Sequence, residues 1–357
     1  MDNITTPTTR EVSGGGFLKF VAYLQIIGII LVVLGHSMHE YPDGMQGKTT
    51  YVYRMMYSFR MPLFIFVSGL LLGYTTVLRR GKISWTAFVS GKLKRLMVPF
   101  ITLTLVTFVP RAMMSGVADD ALELSWRSLA ASMVRSDSMV IPFFWFLQTS
   151  FTLLVVTYGI VLLSRKIRVN EAVVYIALVV AYGALPWIDC LHVTWFSLSD
   201  TCRLALYFVL GVVYARYRGA VDRAISWESP RALVIWASAW AVLFYFTENT
   251  DFSVVCSLCG IAMNISLAKI LEERHITVLD HLRGANYIIF LLSWYLNVLC
   301  QQVLSHYTDF PWWAYSMLSL VSGIYVPWCV FRYIQRHPDG LISRAAVMLL
   351  GQSAKKK

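Results

Sequence analysis

The sequence predicts an all-α fold, a polytopic integral membrane bundle of about ten transmembrane helices with both termini cytoplasmic. Three observations predict it. Apolar residues make up 57% of the 357-residue chain and charged residues only 14%, outside the range of an ordinary soluble domain. Apolar runs fall at roughly 17–38, 57–78, 96–113, 143–163, 172–188, 202–217, 232–247, 252–271, 285–305 and 311–334, most of them near the ~20 residues that cross a hydrocarbon core. The third is where the charges lie. A net charge of +11 would suit nucleic acid, but the basic residues cluster in alternate connections, as the positive-inside rule requires.

The second connection holds Arg79, Arg80, Lys82, Lys92, Lys94 and Arg95, the fourth Arg165, Lys166 and Arg168, and the sixth Arg216, Arg218, Arg223 and Arg231. The tail adds Arg332, Arg336, Arg344 and Lys355 to Lys357. Connections on the other side carry Glu40 and Asp43, then Asp119, Asp120, Glu123 and Asp137, then Asp189 and Asp200, then Glu248 and Asp251. The chain divides into a polar segment (1–16), one transmembrane domain (17–334) and a basic cytoplasmic tail (335–357), without an internal repeat. No strand precedes the glycines at 14–16, so a phosphate-cradling loop is not expected there. More spans follow the first apolar run, which therefore anchors the chain rather than serving as a removed signal.

In the first span Lys19 is the only charge before His36, Ser37, His39 and Glu40. An ionisable side chain inside a spanning helix is costly and marks a functional position; the alternative is a histidine that snorkels or caps a carbonyl. Gln25 lies eleven residues before His36, on nearly the same stripe and ~16 Å lower, so a polar track leads through the bundle. The second span reads SFRMPLFIFVSGLLLGY. Here Pro62 is expected in the first turns, where its missing donor is tolerated, and Gly69 in a close helix contact. Arg60 enters this span at the depth where His36 leaves the first. Region 114–142 is amphipathic (Leu122, Leu124, Trp126, Leu129, Met133) and is expected along the membrane surface.

Later spans add fewer polar groups. Asp200 and Arg203, three apart at the mouth of the sixth, are spaced for an ion pair. Cys256 and Cys259 form a CxxC that reads as small-residue packing rather than a metal or redox site. In the ninth span Ser293, Asn297 and Gln301 make a polar stripe, lining either a helix contact or a wet cavity. Trp145, Trp187, Trp195, Trp312, Trp313 and Tyr315 gather at span ends, as an interfacial belt does.

At these residues the chain resembles the acyltransferase 3 family of membrane-embedded O-acyltransferases. The likeness rests on Gly35–His36 closing an aliphatic run, FRMPLFIFVSG at 59–69, KLKRLMVPF at 92–100 and WFL at 145–147, and covers essentially the whole chain. It implies the ten-span fold without the extra soluble domain that some members carry. Two positions depart from the family pattern: Gln25 stands where an arginine is usual, and the RxxR motif appears as Lys92 and Arg95.

The resemblance implies an acyl-CoA donor, most commonly acetyl-CoA, a glycan or lipid-linked sugar as acceptor, and the bacterial inner membrane as location. Membrane lipids are the remaining partners. No nucleic acid, metal or permanently bound cofactor is expected. Attack by an alcohol on a thioester needs a base, and a neutral imidazole suits that proton transfer near pH 7. His36 is the expected base, Glu40 its orienting partner, and Arg60 the group that stabilises the oxyanion or holds the acceptor. Lys92, Arg95, Arg79 and Arg80 are expected on the nucleotide phosphates, with Gln25 on the donor amides. Trp145, Gln148, Asp200, Arg203 and Asn297 are expected on the acceptor. A transporter or flippase of a lipid-linked sugar is the competing reading; the sequence shows neither an inverted repeat nor paired broken spans in its favour.

Overall fold

The computed structural model describes residues 15–38, 46–77, 83–113, 122–188, 192–246 and 254–350. The helices, in order, are α1 (Gly15–Ser37), α2 (Gln46–Leu72), α3 (Trp85–Lys92), α4 (Val98–Met113), α5 (Trp126–Val134), α6 (Trp145–Lys166) and α7 (Glu171–Ala184). They continue with α8 (Leu198–Ala224), α9 (Pro230–Phe246), α10 (Val254–Glu273), α11 (Asn286–Val298), the single turn α12 (Ser305–Tyr307), α13 (Trp312–Arg336) and α14 (Leu341–Leu349). Three π-helical turns interrupt or extend them, at Gly73–Val77, Leu93–Met97 and Leu299–Leu304. Among the described residues, one isolated bridge between Arg135 and Trp195 is the only β pairing. A chain that must satisfy its backbone without water has little choice but helix.

Eight stretches among the described residues are long and apolar enough to cross a membrane, and the shorter apolar helices Glu171–Trp187 and Pro230–Phe246 lie where the fifth and seventh spans are expected. The helices outrun the apolar runs. α2 begins at Gln46, the third span reaches back to Trp85, and α8 continues to Ala224 through a distortion at Tyr217. Apolar runs mark the part of a helix that faces lipid or core, whereas intrahelical bonds carry on into water. α1 packs on α2, α10, α11 and α13 and is largely buried, while α13 and the third span lie at the periphery.

The early start of α2 corrects the expectation for Pro62, which sits deep inside the helix rather than in its first turns. Proline has no N–H to give the carbonyl four residues back, that of Ser58. The hydroxyl of Ser257 on α10 supplies the missing donor, reaching the Ser58 carbonyl at 2.6 Å. The Ser58 hydroxyl donates to the Met55 carbonyl and accepts from the indole of Trp240 on α9, at 3.1 Å. The gap in the α2 ladder thus becomes a three-helix junction.

Glycine sets the next contact. A Cβ on Gly69 would come within 1.9 Å of the Phe208 carbonyl oxygen, and one on Gly211 within 2.1 Å of the Phe66 carbonyl oxygen. α2 and α8 therefore touch backbone to backbone, the packing expected at Gly69. The CxxC also packs as expected: Cys256 and Cys259 are buried with Phe59, Trp240 and Phe244. Region 122–138 forms the short helix α5, with Leu122, Leu129 and Met133 against the core and Trp126 and Leu124 exposed.

Ser257→Ala should destabilise the bundle by about 1–3 kcal/mol, the cost of a buried carbonyl left without a donor. Thermal unfolding in detergent measures it. In a Pro62→Ala background, where Ser58 regains its helical N–H, the same change should cost far less; equal losses in both backgrounds would contradict the junction.

Candidate active site

The last turn of α1 carries Gly35, His36 and Ser37. Ser37 is buried and returns its hydroxyl to the Val33 carbonyl at 2.8 Å. Its own carbonyl, in the last turn of α1, accepts from the side-chain amide of Gln301 in the π turn Leu299–Leu304. His36 is therefore held on a pinned turn. Its half-buried ring packs on Phe143, with centroids 5.2 Å apart and planes tilted by 43°.

Arg60 on α2 reaches the same turn. It is 2% exposed, and its guanidinium lies against the backbone of Gly35: a Cβ there would come within 1.5 Å of Nη1 and 2.8 Å of Cζ. Only glycine leaves room for it. The guanidinium carbon sits 5.4 Å from the ring centre of Tyr53 and 5.0 Å from that of Tyr57, and the two tyrosines stack on each other at 5.5 Å. Tyr53, Tyr57 and Arg60 share a face of α2 by their spacing of four and three.

Among the described residues, Nε and Nη1 of Arg60 have no hydrogen-bond partner, and no salt bridge joins Arg60 to a carboxylate. Two cation–π contacts are worth about 2 kcal/mol each when desolvated, whereas an uncompensated buried charge costs several kcal/mol. The turn that carries His36 therefore lies against a positive charge that no described carboxylate pairs with.

Asp200 and Arg203 open α8 nearby, and Tyr57 lies within electrostatic reach of Arg60, Asp200 and Arg203. The expected ion pair does not close to salt-bridge contact, although Arg203 is the main charge acting on Asp200. Gln148 fixes this mouth rather than facing it. Buried in α6, it donates to the Met133 carbonyl at 2.9 Å and accepts from the Ser197 hydroxyl at 2.8 Å. Phe196 and Ser197 both take left-handed backbone conformations (φ 49° and 54°), held by Phe196 N–H to the Val134 carbonyl and Ser136 N–H to the Thr194 carbonyl. Just beyond, Arg135 bonds Asp137 at 2.7 Å and holds its exposed carboxyl below the usual range.

Asn297 likewise belongs to a helix contact. Its Oδ1 accepts from Ser319 on α13 at 2.6 Å, while Nδ2 is buried without a partner among the described residues. With Gln301 on Ser37, this places the α11 stripe between helices. Trp145 is half-buried at the start of α6, edge-on to Phe146 at 6.3 Å.

At the opposite end of the bundle Lys92 lies over Phe88 at 5.1 Å and Arg95 over Tyr287 at 5.6 Å. The Tyr287 hydroxyl donates to the Arg95 carbonyl, tying the π turn Leu93–Met97 to the start of α11. From Tyr287 to Gln301 the helix spans roughly 20 Å at ~1.5 Å per residue, so α11 joins the Lys92–Arg95 end to the His36 end. Gln25 is half-buried and makes no hydrogen bond among the described residues. The stripe between Gln25 and His36 is not the continuous polar track the spacing predicts. Phe64 lies on Gly28, 3.0 Å from where a Cβ would be, and Phe64, Phe146, Phe290 and Phe143 pack in succession up to the imidazole. Glu40, Arg79 and Arg80 lie outside the described residues.

Gly35, Tyr53, Tyr57, Phe143 and Gln301 complete a site that sequence reasoning had centred on His36 and Arg60. The spacing of Tyr53, Tyr57 and Arg60 was a readable signal. The approach of Phe143 was not, because it depends on tertiary packing. With the imidazole next in sequence to the glycine on which a buried guanidinium packs, and Nε and Nη1 of that guanidinium unbonded among the described residues, the site offers a proton acceptor and an anion-stabilising group. Of the comparisons with known proteins, a family model described as an acyltransferase domain matches residues 18–332, nearly the whole chain. No curated protein and no solved structure matches.

Gly35→Ala should expel the Arg60 guanidinium and lower the unfolding temperature in detergent. If the clash is with Arg60, adding Arg60→Ala should relieve it, leaving the double variant at least about 1 kcal/mol more stable than the sum of the single losses. Strict additivity would show that Gly35 and Arg60 are not in contact.

Proposed function

The chain belongs to the acyltransferase 3 family and carries the helices of an integral membrane protein, and from that premise we propose that it moves an acyl group, acetyl in the first instance, from acyl-CoA to a sugar hydroxyl of the bacterial cell envelope. The observation that carries this reading is the Arg60 guanidinium packed on the backbone of Gly35, the residue next to His36, with Nε and Nη1 buried and without a hydrogen-bond partner among the described residues.

The chemistry follows from these groups. Neutral His36 takes the proton of the acceptor hydroxyl as the oxygen attacks the thioester carbonyl. The negative charge that develops on the carbonyl oxygen meets Nε or Nη1 of Arg60, a donor already desolvated and held by Tyr53 and Tyr57. Collapse breaks the carbon–sulfur bond, and imidazolium returns its proton to the CoA thiolate. Ester and free CoA result, with no covalent acyl-enzyme required.

The alternating basic connections support placing the Lys92–Arg95 end in the cytoplasm, where these residues, with Arg79 and Arg80, would hold the nucleotide phosphates. Gln25 would bond the donor amides, and the phenylalanines packed between it and His36 would have to part for the arm to reach the imidazole. The His36 end then faces the other compartment, with Asp200 and Arg203 at the acceptor mouth and Glu40 available to orient the imidazole. Gln148 and Asn297 serve here by positioning α8 and α11.

His36→Ala should abolish acetyl transfer while the protein stays folded in the membrane, read by mass analysis of envelope glycans and by CoA release from purified protein. Retention of wild-type transfer would end the assignment. Arg60→Lys should lower kcat about 100-fold, because a compact ammonium cannot reproduce the fork over Gly35. With His36 as the base, kcat/KM should fall tenfold per pH unit once the pH drops below the point at which the imidazole takes up its proton.

A further inference from the structure

A base that activates an alcohol will also activate water, and water is vastly more concentrated than any acceptor. An acyltransferase built on an exposed histidine would hydrolyse its donor. The aromatic wall against His36 bears on this.

Phe143 is 4% exposed and lies in the short 3₁₀ turn Pro142–Phe144 ahead of α6. The turn aims Phe144 and Phe143 in different directions, their rings nearly perpendicular at 5.3 Å. Phe290, also 4% exposed, braces the other side of Phe143 edge-on at 5.1 Å and is itself backed by Phe146 at 5.3 Å. Phe143 therefore has little freedom to move, and it presents its ring to the imidazole. Ile141, two residues earlier, is fully buried, so the segment that carries Phe143 is dry. No side chain in this cluster can donate or accept a hydrogen bond, which makes it a poor path for water.

We infer that Phe143 is a positioning residue for His36: it fixes the tilt of the imidazole and keeps water from that face, so that an alcohol rather than water is deprotonated. The inference rests on the proposed role of His36 and adds a discrimination that the base and guanidinium alone do not supply. When the wall is breached, water gives its proton to His36 and its oxygen bonds the acetyl carbon. The carbon–sulfur bond breaks, and the thiolate takes the proton, releasing acetate and CoA.

The test uses full-length protein in detergent with acetyl-CoA alone, following thiol release. Phe143→Ala should raise hydrolysis at least fivefold over wild type, and Phe143→Leu, which keeps an apolar bulk, should stay within twofold. Hydrolysis in Phe143→Ala should vanish when His36→Ala is added; survival in that double variant would instead overturn the assignment of His36 as base. A second readout needs no turnover. With ring-labelled histidine, the NMR titration of His36 should move to higher pH in Phe143→Ala, since hydration favours the imidazolium. If Phe143→Ala does not fold, Phe143→Ser and Phe143→Val carry the same readouts. Unchanged hydrolysis and an unchanged titration in any folded small-side-chain variant would overturn the inference.

Discussion

A guanidinium buried in a helical bundle, with no carboxylate in salt-bridge contact among the described residues, is the constraint around which this protein is built. Arg60 is admitted because Gly35 has no side chain and because two stacked tyrosines lie over its charge. Each accommodation fixes something else. The glycine brings α2 close to the final turn of α1, and the tyrosines must come from the early turns of α2. The histidine next to that glycine then has a fixed relation to the cation. Since attraction to aromatic rings offsets only part of the desolvation cost, the arrangement favours an incoming negative charge, which a transition state of acyl transfer supplies.

The helices that bear these groups are held by repairs to the backbone. Pro62 breaks the α2 ladder two residues after Arg60, and Ser257 mends it from α10. Ser37 ends α1, and Gln301 donates to its carbonyl from a π turn, a geometry that recurs at functional sites. Gly69 and Gly211 bring α2 and α8 together, which sets Asp200 and Arg203 near Tyr57. In lipid, where apolar surface gives helices little reason to associate, such polar and close-packed contacts determine geometry.

The sequence revealed the bundle well because bilayer thickness imposes a length on every span and apolar composition records it. It showed His36 and Arg60 because charge is rare inside such spans, so each stands out. It was less informative about Pro62, since apolar character marks where lipid begins but not where a helix starts. Gln148 and Asn297 bond within the bundle for a related reason: a polar residue in a span must bond to something, and sequence does not say whether that partner is a substrate or the next helix. Phe143 was invisible, being one phenylalanine among twenty. The stripe linking Gln25 to His36 was read from one helix alone, and neighbouring helices filled it with phenylalanine.

The junction at Pro62 also bears on biogenesis. Ribosomes release α2 long before α10, and the Ser58 carbonyl waits for a donor 199 residues further along the chain. A nascent first hairpin therefore enters the bilayer with an open acceptor that no nearby residue of its own ladder can fill. That carbonyl gains its side-chain donor only once Ser257 has been made, so the hairpin that carries His36 and Arg60 completes its contacts late in synthesis.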